Sequence, residues 1–66
     1  MTIQLNGKGY EAPTGITVLG LLESIGLAPG RAAVEVNGRV LRREDFRRVS
    51  LAENDRVEVV HFVGGG

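Results

Sequence analysis

Thr17-Val18-Leu19-Gly20-Leu21-Leu22-Glu23-Ser24-Ile25-Gly26 is the stretch on which the fold turns. Val18, Leu21, Leu22 and Ile25 stand at i, i+3, i+4 and i+7, an apolar stripe with Leu19 at its border, so the segment reads as an amphipathic helix. Thr17 offers an N-cap oxygen. Gly26 suits the C′ position, with Leu27 placed for the accompanying apolar contact. Gly20 costs about 1 kcal/mol against alanine inside a helix, and close packing against a sheet is the expected reason for it.

Both flanks of this helix read as hairpins. Upstream, Ile3 and Leu5 alternate with Thr2 and Gln4, Asn6-Gly7 suits a type I′ turn, and Lys8 to Ala12 returns until Pro13 stops it. Downstream, after an Ala28-Pro29-Gly30 loop, Val34 and Val36 alternate with Ala33, Glu35 and Asn37 up to a second turn, Asn37-Gly38. Val40 and Leu41 suggest a short return strand. In the polar stretch Arg42 to Ser50, Phe46 and Val49 are expected to anchor a single helical turn to the core. Asn54 tolerates the positive φ of a turn. The last strand is expected over Arg56 to Val63. Its run Val59-Val60-His61-Phe62-Val63 implies a central strand either covered on both faces or offering one to a partner. Two strands, a helix and two or three strands predict an α+β domain with its helix across a small mixed sheet, the first hairpin and last strand in the middle.

Composition narrows the function. The 66 residues (7.1 kDa) contain no cysteine and one histidine, which removes disulfides, thiol nucleophiles and the usual Cys or His metal sites. The hydrophobic share of 42% and mean hydropathy of +0.02 are ordinary for a globular domain that folds on its core alone. No apolar run approaches the length of a membrane helix, and Met1 to Asn6 does not read as a secretory signal, so a soluble cytoplasmic domain is expected. A chain this short has little room for a buried pocket beside its core, and the lone histidine has no nucleophile at a diagnostic spacing. It reads as a protein acted upon or bound, not as an enzyme.

Gly64-Gly65-Gly66 closes the chain after an apolar strand. Glycine can thread a cleft too narrow for any side chain, and three extended residues span about 10 Å. A terminal carboxylate is ionised and unreactive at neutral pH, so its chemistry requires activation by a partner, normally with ATP. The same glycines also suit a frayed end, and the tail of residues 64–66 is expected to be flexible beside a domain of residues 1–63.

Ala33-Val34-Glu35-Val36-Asn37-Gly38, Asp55-Arg56-Val57-Glu58-Val59-Val60-His61-Phe62-Val63 and the closing glycines resemble the ThiS family of sulfur carrier proteins, ubiquitin-like β-grasp domains of thiamine biosynthesis. The resemblance covers essentially the whole chain. Asn54 stands where that family commonly has glycine, and Leu41 where it commonly has proline. The resemblance implies that an E1-like adenylyltransferase of the ThiF type transfers AMP from ATP to the Gly66 carboxylate. Sulfur from a cysteine desulfurase route then displaces AMP to leave a thiocarboxylate, which a thiazole synthase of the ThiG type consumes. No bound cofactor and no metal are implied. Gly64, Gly65, Val63, Phe62 and Val60 become the candidate partner-binding residues, with Val60 and Phe62 on one side of the last strand.

Other readings share these residues. A molybdopterin carrier, a carrier for cysteine or another thio-metabolite, and a ubiquitin-like protein modifier would have the same tail. Approach to the glycines without proline favours the thiamine type. Arg39, Arg42, Arg43, Arg47 and Arg48 against Glu44 and Asp45 give the 39–48 window +3, and the remainder −3, beneath a net charge of zero. That asymmetry can steer a partner or serve an RNA-binding module, although the chain has only three aromatic residues for stacking. A solvated loop is the plainer reading of the cluster, and neither nucleic acid nor membrane is the expected partner. His61 is assigned no chemistry.

Overall fold

The computed structural model describes residues 1–63. Strands β1 (Thr2–Leu5) and β2 (Lys8–Glu11) precede helix α1 (Val18–Ser24). Strands β3 (Ala32–Val36), β4 (Arg39–Val40) and β5 (Arg56–His61) follow it. Short 3₁₀ turns occupy Pro29–Arg31 and Arg43–Asp45. The five strands form one mixed sheet in the order β2-β1-β5-β3-β4, with β1 and β5 parallel and the other pairs antiparallel. One helix across one face of this sheet is the ubiquitin-like β-grasp arrangement. The tail expected at residues 64–66 lies outside the described residues.

The helix starts and stops where its chemistry requires. Thr17 Oγ1 accepts from the Gly20 N–H at 3.0 Å. At the other end Gly26, at φ +80°, donates to the Glu23 carbonyl and Leu27 donates to the Leu22 carbonyl, the paired bonds of a Schellman motif. Val18, Leu21 and Leu22 are fully buried against Ile3, Val34, Val57 and Val59 of the sheet, and Phe46 and Leu51 close the core. Phe46 and Val49 serve as the expected anchors, Val49 from a half-buried position. Gly20 departs from expectation: an added Cβ would lie 3.0 Å from Ile16 Cγ1 and 3.4 Å from Thr17 Oγ1. The close approach is therefore to the residues leading into the helix, not to the sheet.

Three further expectations need correction. Only β1 of the first hairpin is interior, because β2 forms an edge and the middle of the sheet is β1-β5-β3. The short return strand is Arg39–Val40, one residue earlier than Val40 and Leu41, since a two-residue turn pairs Val36 with Arg39. Strand β5 ends at His61 instead of Val63, because β3, its antiparallel neighbour, begins at Ala32 opposite His61.

Both Asn–Gly turns take the two positive φ values of type I′, with Asn6 at 50°, Gly7 at 82°, Asn37 at 52° and Gly38 at 83°. Their asparagines also clamp β5. Asn6 Oδ1 accepts from the Val59 N–H at 2.7 Å and its Nδ2 donates to the Val59 carbonyl at 3.2 Å. The side-chain amide thus continues the ladder where β1 has ended. Asn37 Oδ1 accepts from the Arg56 N–H at 2.9 Å, and its Nδ2 donates to Asp55 Oδ1 at 3.0 Å. Asn6→Gly retains the turn conformation and removes both bonds to Val59, so it is expected to cost about 1–3 kcal/mol in chemical denaturation. Unchanged stability would show that the clamp adds nothing.

Candidate functional site

Alternation along β5 divides its side chains between two environments. Val57 and Val59 enter the core, whereas Glu58 and Val60 lie on the open face of the sheet. Of the two readings of its apolar run, the strand is thus covered on one face only. Val60 is 57% exposed, Phe62 59% and Val63 86%, values that exclude them from the core and leave a row of apolar side chains leading to Gly64. Register extends this surface sideways. Ala33 pairs with Val60, Glu35 pairs with both Glu58 and Val40, and Val40 is 75% exposed. A shallow depression of about 300 Å³ between them is lined by Glu35, Gly38, Arg56, Glu58 and Val60. The surface is therefore apolar at the end of β5 and just beyond it, at Val60, Phe62 and Val63, and charged toward the start of the strand, where Glu35 faces Glu58 with Arg56 in the same depression.

Val40 is the member that sequence reasoning missed, although its signal was present. Alternation puts Glu35 outward, and a two-residue turn at Asn37-Gly38 pairs Glu35 with Val40, so Val40 must be outward too.

The chain leaving β5 is held by backbone bonds. The Phe62 N–H donates to the Arg31 carbonyl at 2.8 Å, and the Ala28 N–H donates to His61 Nε2 at 3.2 Å. His61, half-buried, is a structural acceptor for the 28–31 turn. Of the predicted site residues, Val60, Phe62 and Val63 are thus all exposed, while Gly64, Gly65 and Gly66 lie outside the described residues.

Among the described residues no cluster of three or more His, Asp or Glu could hold a metal ion, and no helix is long and apolar enough to cross a membrane. The arginine window surrounds Phe46, which is only 2% exposed and presents no ring face for a base to stack on.

The ThiS family profile matches residues 3–66. A sulfur carrier protein ThiS of Bacillus subtilis is 41% identical over 66 residues, covering 97% of this chain and 98% of that protein. A thiazole synthase of Magnetococcus marinus is 48% identical over 66 residues, covering all of this chain and 20% of that protein. The chain thus spans about one fifth of the length of that synthase. The crystal structure of a thiamine biosynthesis protein (ThiS) from Geobacter metallireducens superposes with a TM-score of 0.85 at 35% identity, covering both chains completely. By the profile over residues 3–66 and by the superposition of the whole chain, this chain belongs to the ThiS family.

Proposed function

We propose that this chain is a non-catalytic cytoplasmic sulfur carrier of thiamine biosynthesis, with Gly66 as the atom-bearing residue. The observation that carries the reading is the exposed apolar row Val60, Phe62 and Val63, aligned on the segment that runs into Gly64-Gly65-Gly66. An adenylyltransferase of the ThiF type transfers AMP from ATP to the Gly66 carboxylate. The resulting mixed anhydride makes the acyl carbon electrophilic, so a persulfide sulfur from a cysteine desulfurase route attacks it and expels AMP. A thiol then cleaves the acyl disulfide, leaving a thiocarboxylate on Gly66 and a disulfide on the donor side. A thiazole synthase of the ThiG type receives that sulfur. This partner is supported by the matching segment within the Magnetococcus thiazole synthase. The carrier itself binds no cofactor, and the ATP is consumed by its partner.

The energetics ask for a docking surface as well as a tail. Ordering three residues costs about 3–6 kcal/mol of backbone entropy. Burying a large apolar side chain contributes about 1.5–3 kcal/mol, and Val60 and Phe62 each have more than half of that still available. Together they offset roughly the lower end of the cost, so Val40 and Val63 belong to the same interface.

The Val60→Ser/Phe62→Ser double variant tests this reading. It is expected to keep its stability, because both side chains are exposed, and to accept AMP at least about tenfold more slowly. Intact-mass analysis after incubation with the adenylyltransferase and ATP reads the result. AMP transfer at the unmodified rate would remove the sheet face from the interface.

A further inference from the structure

The helix side of the domain carries a second surface that the carrier reading does not use. A cleft of about 300 Å³ is lined by Leu19 of α1, Pro29 and the segment Arg43, Glu44, Phe46 and Arg47. Its apolar members are contiguous with the core, since Leu19 packs against it and the Leu19 N–H donates to the Phe46 carbonyl at 2.9 Å. Its polar members are unbalanced. Arg42 pairs with Glu44 at 3.3 Å, which neutralises the acidic wall, and this is the only ion pair among the described residues. Arg43 and Arg47 are exposed and have no carboxylate partner, within a 39–48 window that carries +3.

We propose that this cleft docks an acidic peptide segment of a protein partner. An apolar side chain of that segment rests against the half-buried Leu19 and Pro29, and flanking carboxylates meet Arg43 and Arg47. Charge complementarity selects the occupant: two guanidinium groups beside an apolar floor match carboxylates that bracket an apolar residue. RNA fits less well, because Phe46 is buried and offers no stacking surface.

Position in the fold gives the cleft a use. Pro29 opens the 3₁₀ turn whose Arg31 carbonyl accepts from the Phe62 N–H at 2.8 Å, while the Ala28 N–H bonds to His61. The turn that forms one wall of the cleft therefore also fixes the chain leaving β5. A partner gripping the cleft stands beside that exit without covering Val60 on the sheet face. The proposal goes beyond the carrier reading and does not depend on it.

Amide chemical shifts of the isotopically labelled 66-residue chain test it during titration with the peptide Asp-Glu-Leu-Phe-Glu-Asp. Shifts are expected at Leu19, Gly30, Arg43, Phe46 and Arg47. Affinity is expected to fall about tenfold for the amide analogue Asn-Gln-Leu-Phe-Gln-Asn, and likewise for the Arg43→Ser/Arg47→Ser variant, as for two exposed ion pairs lost together. Replacing the Leu-Phe centre by Ser-Ser is expected to weaken binding comparably. Arg56→Ser, on the opposite face, is expected to leave affinity unchanged and so controls for net charge. Equal binding of the acidic and amide peptides, or shifts confined to Val60 and Phe62, would overturn the proposal. So would tighter binding of an oligouridine to the same residues. Activation of Gly66 is not measured, so failure here leaves the carrier reading standing.

Discussion

Leu21→Ala and Leu22→Ala are each expected to lower stability by about 2–5 kcal/mol in urea denaturation, the range for removing a buried leucine and leaving a cavity. Both side chains are fully buried. They face Ile3, Val34, Val57 and Val59 at the junction of the only α-helix among the described residues with three strands. No second helix can move in to fill the space, so the upper part of the range is expected for Leu21→Ala, on the side nearer the middle of the helix. A domain of this size has only a few kcal/mol in hand, and either variant is expected to be partly unfolded at 37 °C. Losses below about 1 kcal/mol would mean that the helix is not the principal partner of the sheet.

Function is expected to fail without any loss of fold when the tail is altered. Deleting Gly66 shortens the reach by about 3.3–3.6 Å, more than a fixed adenylylation geometry accommodates. Gly65→Val leaves the length intact and adds a branched side chain where the partner's channel is expected to admit backbone alone. Both variants are expected to unfold at the unmodified midpoint, because the core is assembled from residues between Ile3 and Val59. Both are also expected to lose AMP acceptance by at least about a hundredfold, corresponding to misplacement at a reacting centre. Adenylylation of the truncated chain at the ordinary rate would show that Gly66 is not the acceptor.

What the sequence disclosed and what it withheld follow from the range of the interactions involved. Local rules were sufficient for the helix: a stripe at 3.6-residue spacing, a threonine oxygen at one end and a glycine at the other predicted Val18–Ser24 with its Thr17 cap. They were also sufficient for the turns, where Asn6, Asn37 and Asn54 adopt the positive φ that their side chains tolerate. Strand order was less legible. Whether β2 or β3 sits beside β5 depends on contacts between residues far apart in the chain, and alternation within a strand carries no information about its neighbour. The asparagine clamps were hidden for the same reason, since Asn6 and Val59 are separated by 53 positions.

The site divided along similar lines. The exposure of Val60 and Phe62 could be posed from alternation, but an apolar run is compatible with one covered face or two, and only the position of the helix decides. The arginine window was visible as charge. Its cleft was not, because Leu19 and Pro29 join it from segments that the sequence places ten or more residues away.

The central claim is that Gly66 carries sulfur, and the intact mass of the native protein from its own cells tests it most directly. A population heavier than the unmodified chain by the difference between one sulfur and one oxygen is expected, with fragmentation assigning the change to Gly66. That population is expected to disappear on hydrolysis and in cells lacking the adenylyltransferase. A chain that remains at its unmodified mass in cells actively making thiamine, with the adenylyltransferase present and thiazole synthase removed so that the thiocarboxylate accumulates, would contradict it.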